Sequence, residues 1–191
     1  MNGLFDLTQW NHLDCVLALV AAWLIIGLAG VCAVRRLTPA GRILFPAGGV
    51  IGIALFGIAL NAVFVSPESA VLPIGLPGLP FHFRLDSLSA FFLLVIGGAA
   101  AGVSAFAAGY FRKTEGDTPP GLLCLEYHVF LASMALVVVA DDAYAFMVMW
   151  ETMALSSFFL VIASHRIEEK DRKSTRLNSS HESVSRMPSS A

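Results

Sequence analysis

Five separate stretches of this chain are apolar for about twenty residues each, and that repetition decides what it can fold into. They run at about 13–34, 43–65, 87–110, 122–140 and 143–164. A bilayer core about 30 Å thick is crossed by roughly 20 apolar residues of helix. Composition agrees: 57% of the 191 residues are hydrophobic and only 14% are charged, against about 25% charged in an ordinary soluble domain. Lipid offers backbone amides no hydrogen bonds, so each span must satisfy its own and be helical. The predicted fold class is all-α: a polytopic membrane protein with five transmembrane helices in a lipid bilayer.

Net charge is -2, which leaves no basic surface for nucleic acid. Cys15, Cys32 and Cys124 show neither metal-ligand spacing nor a pairing pattern and read as small apolar filler. The first fourteen residues hold no Lys or Arg, and the first apolar block ends in Arg35-Arg36. A cleaved signal peptide is therefore not expected.

Orientation follows from the basic residues. Arg35, Arg36 and Arg42 follow the first span, Arg112 and Lys113 the third, and His165-Arg166 the fifth. The second loop has only Arg84, and the fourth is just Asp141-Asp142. The N-terminus is expected outside and residues 166 onward inside. The long second loop, Ser66 to Asp86, is rich in Pro and Gly. Its stretch from Pro77 to Arg84 reads as extended chain, either a solvated connector or a short β-hairpin.

After Glu169 the character changes. Residues 170–191 are polar, lack any hydrophobic period and are expected to be disordered. Asp171–His181 is similar to one continuous reading frame of a common short-read sequencing adapter. Ser185–Ala191 continues that frame, with Glu182–Val184 filling the variable index. The tail is thus expected to be non-native, and 1–169 to be the N-terminal membrane part of a longer chain.

Charge inside a bilayer costs about 2.5–3.5 kcal/mol on insertion scales. The main candidate is Glu151, the ninth residue of the fifth span and about 12 Å along it. Such a carboxyl takes up or releases a proton as a cation approaches or withdraws, which is the chemistry of a proton relay. The alternative is a protonated Glu acting as interhelical glue. No Lys occurs inside the five spans, so a cationic partner must come from elsewhere. His128 is a weaker candidate for a proton path. It and Glu126 are expected near the inner end of the fourth span, as hydrated interface residues. Asp86 fits an N-cap or first-turn acid of the third span, and Arg84 a partner for it or for lipid headgroups. No residue pattern binds a nucleotide, haem, iron–sulfur cluster or metal.

Phe83-Arg-Leu-Asp-Ser-Leu-Ser-Ala-Phe-Phe-Leu-Leu-Val95 resembles the start of the third helix in the antiporter-like membrane subunits. These include complex I proton-pumping subunits, Mrp-type cation/proton antiporters and group 4 membrane-bound hydrogenases. Trp150-Glu-Thr-Met-Ala-Leu-Ser-Ser-Phe-Phe-Leu-Val-Ile-Ala163 resembles their fifth helix, most closely in the membrane subunits of the hydrogenase 4 and formate hydrogenlyase type. Ala132-Ser-Met134 and Asp141-Asp142 fit the same group. The resemblance covers residues 10 to 169. It implies a subunit of about fourteen helices with two inverted five-helix repeats. It also implies that Glu151 pairs with a Lys on a later helix and moves protons. The partners implied are other membrane subunits and a peripheral hydrogenase or dehydrogenase arm that does the redox chemistry. This chain would be a subunit of an oxidoreductase complex, without a cofactor or redox catalysis of its own, in a bacterial or archaeal inner membrane. The alternatives are the corresponding complex I or Mrp subunit, and a structural membrane anchor without transport.

Overall fold

A computed structural model describes residues 10–32, 43–110 and 120–162. Arg35, Arg36, Arg42, Arg112, Lys113, His165 and Arg166, on which the orientation rests, lie outside the described residues, as does the tail 170–191. The described elements are α1 (His12–Cys32), α2 (Phe45–Ala62), β1 (Glu68–Leu76), β2 (Leu79–Leu85), α3 (Ser87–Tyr110) and α4 (Pro120–Val139), followed by α5 (Ala143–Ile162). All five helices are long and apolar enough to cross a membrane. α2 stops at Ala62 rather than running to Val65. Phe64 and Val65 bond back three residues, to Asn61 and Ala62, which tightens the last turn. Pro67 follows and cannot extend the helix.

Helix pairing is set by small residues that let backbones approach. α2 meets α3 where Gly52 faces Gly97: a Cβ on Gly97 would lie 2.7 Å from the Gly52 carbonyl oxygen. α1 meets α4 through Gly27 and Gly30, where added Cβ atoms would come within 3.3 Å of Leu125 and His128 and 3.1 Å of Cys124. Trp23, Leu55, Leu93, Leu131 and Val139 fill the core between these pairs.

The loop after α2 is a two-stranded antiparallel hairpin, the one departure from all-helical structure among the described residues. Gly78, at φ 86, supplies the left-handed corner after Pro77. Phe81, Phe83 and Leu85 alternate inward and are buried, while Arg84 points outward. The inward face closes the end of the bundle at which α1, α3 and α5 begin. A bridge between Phe83 and Ala140 ties it to the α4–α5 link.

Three carboxylates hold this hairpin end, one at each helix N-terminus. Glu68 accepts from the Leu13 N–H at 2.8 Å and pairs with His12 Nδ1 at 2.9 Å. Asp86 accepts from the Ser89 N–H at 2.8 Å. Asp142 accepts from the Ala145 N–H at 2.7 Å and, with its other oxygen, from the His82 N–H at 2.8 Å. Each thus satisfies a first-turn donor and offsets the helix dipole.

All three titrate below their ordinary values. Burial alone would raise Glu68, but the Leu13 N–H and the His12 ring outweigh it. The Ser89 N–H lowers Asp86, with a smaller contribution from the Arg84 charge. The Ala145 and His82 amides lower Asp142. Carboxylates with depressed folded pKa values stabilise the protein above their unfolded values and lose that contribution as pH falls through the folded ones. Thermal stability in detergent should therefore hold down to about pH 5 and decline below the ordinary values of 4.5 and 3.8. Glu68→Gln should flatten part of that decline; an unchanged slope would show that Glu68 does not contribute to it.

Candidate functional site

Glu151 lies eight residues into α5, about 12 Å from the hairpin end. Asp142 starts this helix through its bond to Ala145. Tyr144 anchors it, its ring 5.4 Å from Phe81. α5 borders the bundle, and only 11% of its span is buried. Its inward face is Ala145, Val148, Met149 and Ser156. Its outward face carries Met147, Trp150, Glu151, Ala154, Leu155 and Phe158, all exposed. Glu151 is the only ionisable group on that apolar stripe. Among the described residues no hydrogen bond or ion pair reaches its carboxylate. The neighbouring hydroxyls turn to their own helix: Thr152 donates to the Val148 carbonyl, Ser156 to Met153 and Ser157 to Ala154.

His128 is not the hydrated interface residue that its place in the sequence suggests. It is eight residues into α4, about 12 Å along, and its side chain is fully buried. Gly27 lets α1 approach the His128 Cβ and Gly48 lets α2 approach the ring; a Cβ on Gly48 would clash with Nε2. Nδ1 lies 2.7 Å from the Cys124 carbonyl oxygen. A carbonyl only accepts, so Nδ1 carries the proton and Nε2 presents its lone pair. That lone pair is buried without a partner, which is uncommon and costly for a polar atom.

Gly48→Ala is expected to cost about 1–3 kcal/mol through overpacking. Removing the ring should relieve much of that cost, so Gly48→Ala and His128→Ala should be clearly non-additive in a thermal-stability cycle. Additive losses would place the clash elsewhere.

Two further polar contacts cross this interior, and neither was singled out from the sequence. The Tyr127 hydroxyl lies 3.0 Å from Ser104 Oγ on α3. Trp23 Nε1 on α1 donates to the Gly48 carbonyl at 3.0 Å. The only signal was a Ser and a Tyr in otherwise apolar helices, opposite the glycine-rich start of α2. Glu126, also expected at a hydrated interface, is half-buried, and its Oε2 is enclosed without a partner. Glu151 and His128 lie on different faces of different helices, and no described contact joins them. Arg84 and Asp86 sit at the hairpin end, away from both. Among the described residues no group of three His, Cys, Asp or Glu side chains could hold a metal.

No family model matches the chain. It is 34% identical over 165 residues to hydrogenase-4 component B of Escherichia coli K12, covering 83% of this chain and 22% of that protein. It is 33% identical over 91 residues to NADH-quinone oxidoreductase subunit L of Mycobacterium tuberculosis, covering 47% of this chain and 14% of the relative. A Staphylococcus saprophyticus protein described as an antiporter subunit, mnhA2, is 35% identical over 80 residues, or 42% of this chain and 10% of its own length. The chain is a homologue of the antiporter-like membrane subunits. With five helices long and apolar enough to cross a membrane and homologues that are membrane subunits, it is a multi-pass membrane protein, and it spans about a fifth of the hydrogenase-4 relative.

Proposed function

We propose that this chain is part of a proton-translocating antiporter-like subunit of a hydrogenase 4 or formate hydrogenlyase-type complex, with Glu151 as its principal proton-carrying group. The observation that carries the reading is the placement of that carboxylate, mid-helix on the exposed apolar stripe of α5. Facing lipid, its ion would have neither water nor a counter-charge. Facing further protein that brings a lysine, it can hold or release a proton as the cation withdraws or approaches. In this reading the outward stripe packs on later helices of the same subunit. The longer match to hydrogenase-4 component B supports that branch over the NADH-quinone one.

His128 is a secondary proton-accepting group in this reading. Its bare Nε2 is an acceptor at a depth within a few ångströms of Glu151, measured from the hairpin end. The chain is oriented with its N-terminus outside a bacterial or archaeal inner membrane. It works beside other membrane subunits and a peripheral hydrogenase or dehydrogenase arm, which carries the redox cofactors.

Chemical modification tests the role of Glu151. An apolar carbodiimide adds to a protonated carboxyl within a membrane and leaves a neutral N-acylurea that cannot exchange protons. Treating the full-length subunit in its complex should label the peptide containing Glu151, with proton movement falling in step with labelling. Full labelling at Glu151 with undiminished proton movement would refute the assignment.

A further inference from the structure

We propose that the hairpin end of the bundle carries a binding site for the phosphoethanolamine headgroup of a membrane lipid. A cavity of about 240 Å³ opens there, lined by Pro67, Glu68, Ser69, Arg84 and Asp141. Its place in the fold sets the depth. Glu68 caps α1, Arg84 precedes the α3 cap by two residues, and Asp141 precedes the α5 cap by one. The site therefore lies on the polar boundary where the membrane helices begin. Phe64 and Val65, just before Pro67, are exposed at the height where acyl chains meet headgroups.

The charges are arranged for a zwitterion. The Arg84 guanidinium has no carboxylate within 4 Å among the described residues. Its planar fork suits two phosphate oxygens. Asp141 is fixed by its backbone, whose N–H donates to the His82 carbonyl at 2.9 Å. Its carboxylate meets no hydrogen-bond or ion-pair partner among the described residues. Glu68 is already engaged by Leu13 and His12, which leaves Asp141 to receive a cation. Arg84 alone would accept any phospholipid. Asp141 discriminates, because a primary ammonium donates hydrogen bonds to it, a trimethylammonium cannot, and a glycerol headgroup offers no cation.

The test uses the full-length protein, delipidated in detergent and exposed to equimolar phosphatidylethanolamine, phosphatidylcholine and phosphatidylglycerol, with retained lipid read by native mass spectrometry. Phosphatidylethanolamine should be retained most. Arg84→Ala should lower its retention about two- to fivefold, the range that an exposed ion pair supplies. Asp141→Asn should lower it similarly while leaving phosphatidylglycerol unchanged. The proposal is overturned if another lipid is retained as well as or better than phosphatidylethanolamine, or if either variant keeps wild-type retention of it. Binding of soluble O-phosphoethanolamine as tight as that of the lipid would overturn the lipid as the source.

Discussion

Gly97→Leu is expected to leave almost no folded protein in the membrane. A Cβ at position 97 would lie 2.7 Å from both the Gly52 carbonyl oxygen and the Phe56 nitrogen, and 3.1 Å from the Phe56 Cα. All three atoms belong to the α2 backbone and cannot step aside as a side chain can. The partner position is as tight, since a Cβ on Gly52 would lie 2.9 Å from the Gly97 carbonyl oxygen. Accommodating leucine means parting α2 from α3 along their contact, which also withdraws Gly49 from Ser104. Even alanine should cost about 1–3 kcal/mol by overpacking, and leucine considerably more, against a total stability of about 5–15 kcal/mol. Gly102→Leu is the control, because a Cβ there meets nothing within 4 Å. Membrane accumulation of the two variants, compared by quantitative blotting, should differ by an order of magnitude or more. Equal accumulation would mean that α2 and α3 do not cross at these glycines.

The helices were legible because lipid imposes one rule on every span, about twenty apolar residues, and the chain repeats it five times. The carboxylate at the start of α3 was also legible, since Asp86 stands two residues before Leu88 with Ser87 and Ser89 around it. The other two caps were not. Glu68 serves α1 from 55 residues away, and no local pattern announces that. Asp142 was visible as a loop acid, but not as a bond to the hairpin amide of His82. The glycines were seen as packing residues, yet their partners are fixed by which helices meet, and composition does not encode that. The same gap misplaced His128: ranked by distance from a loop it looked wet, whereas Gly27 and Gly48 seal it. Glu151 stood out as a lone acid in an apolar run. Its direction did not, because that depends on how Ala145, Val148, Met149 and Ser156 turn toward the core.

Replacing the Glu151 carboxyl by an amide should abolish most proton movement while leaving the protein assembled. Glutamine keeps the size of the side chain and its hydrogen-bonding ability but cannot lose or gain a proton near neutral pH. Among the described residues the carboxylate makes no hydrogen bond or ion pair that holds the fold, and glutamine preserves the shape that packs on later helices, so assembly should be retained. Glu151→Asp keeps the titrating group one methylene shorter and should retain part of the activity. The contrast between the two variants separates proton transfer from shape.

The direct measurement is proton translocation by the full-length subunit in its complex, reconstituted in vesicles with a pH-sensitive dye inside and driven by the complex's own redox reaction. Glu151→Gln should show normal assembly and electron transfer with at least a tenfold loss of proton movement, the scale of about 1.4 kcal/mol or more in the transfer step. A Glu151→Gln complex that moves protons at the wild-type rate would contradict the account.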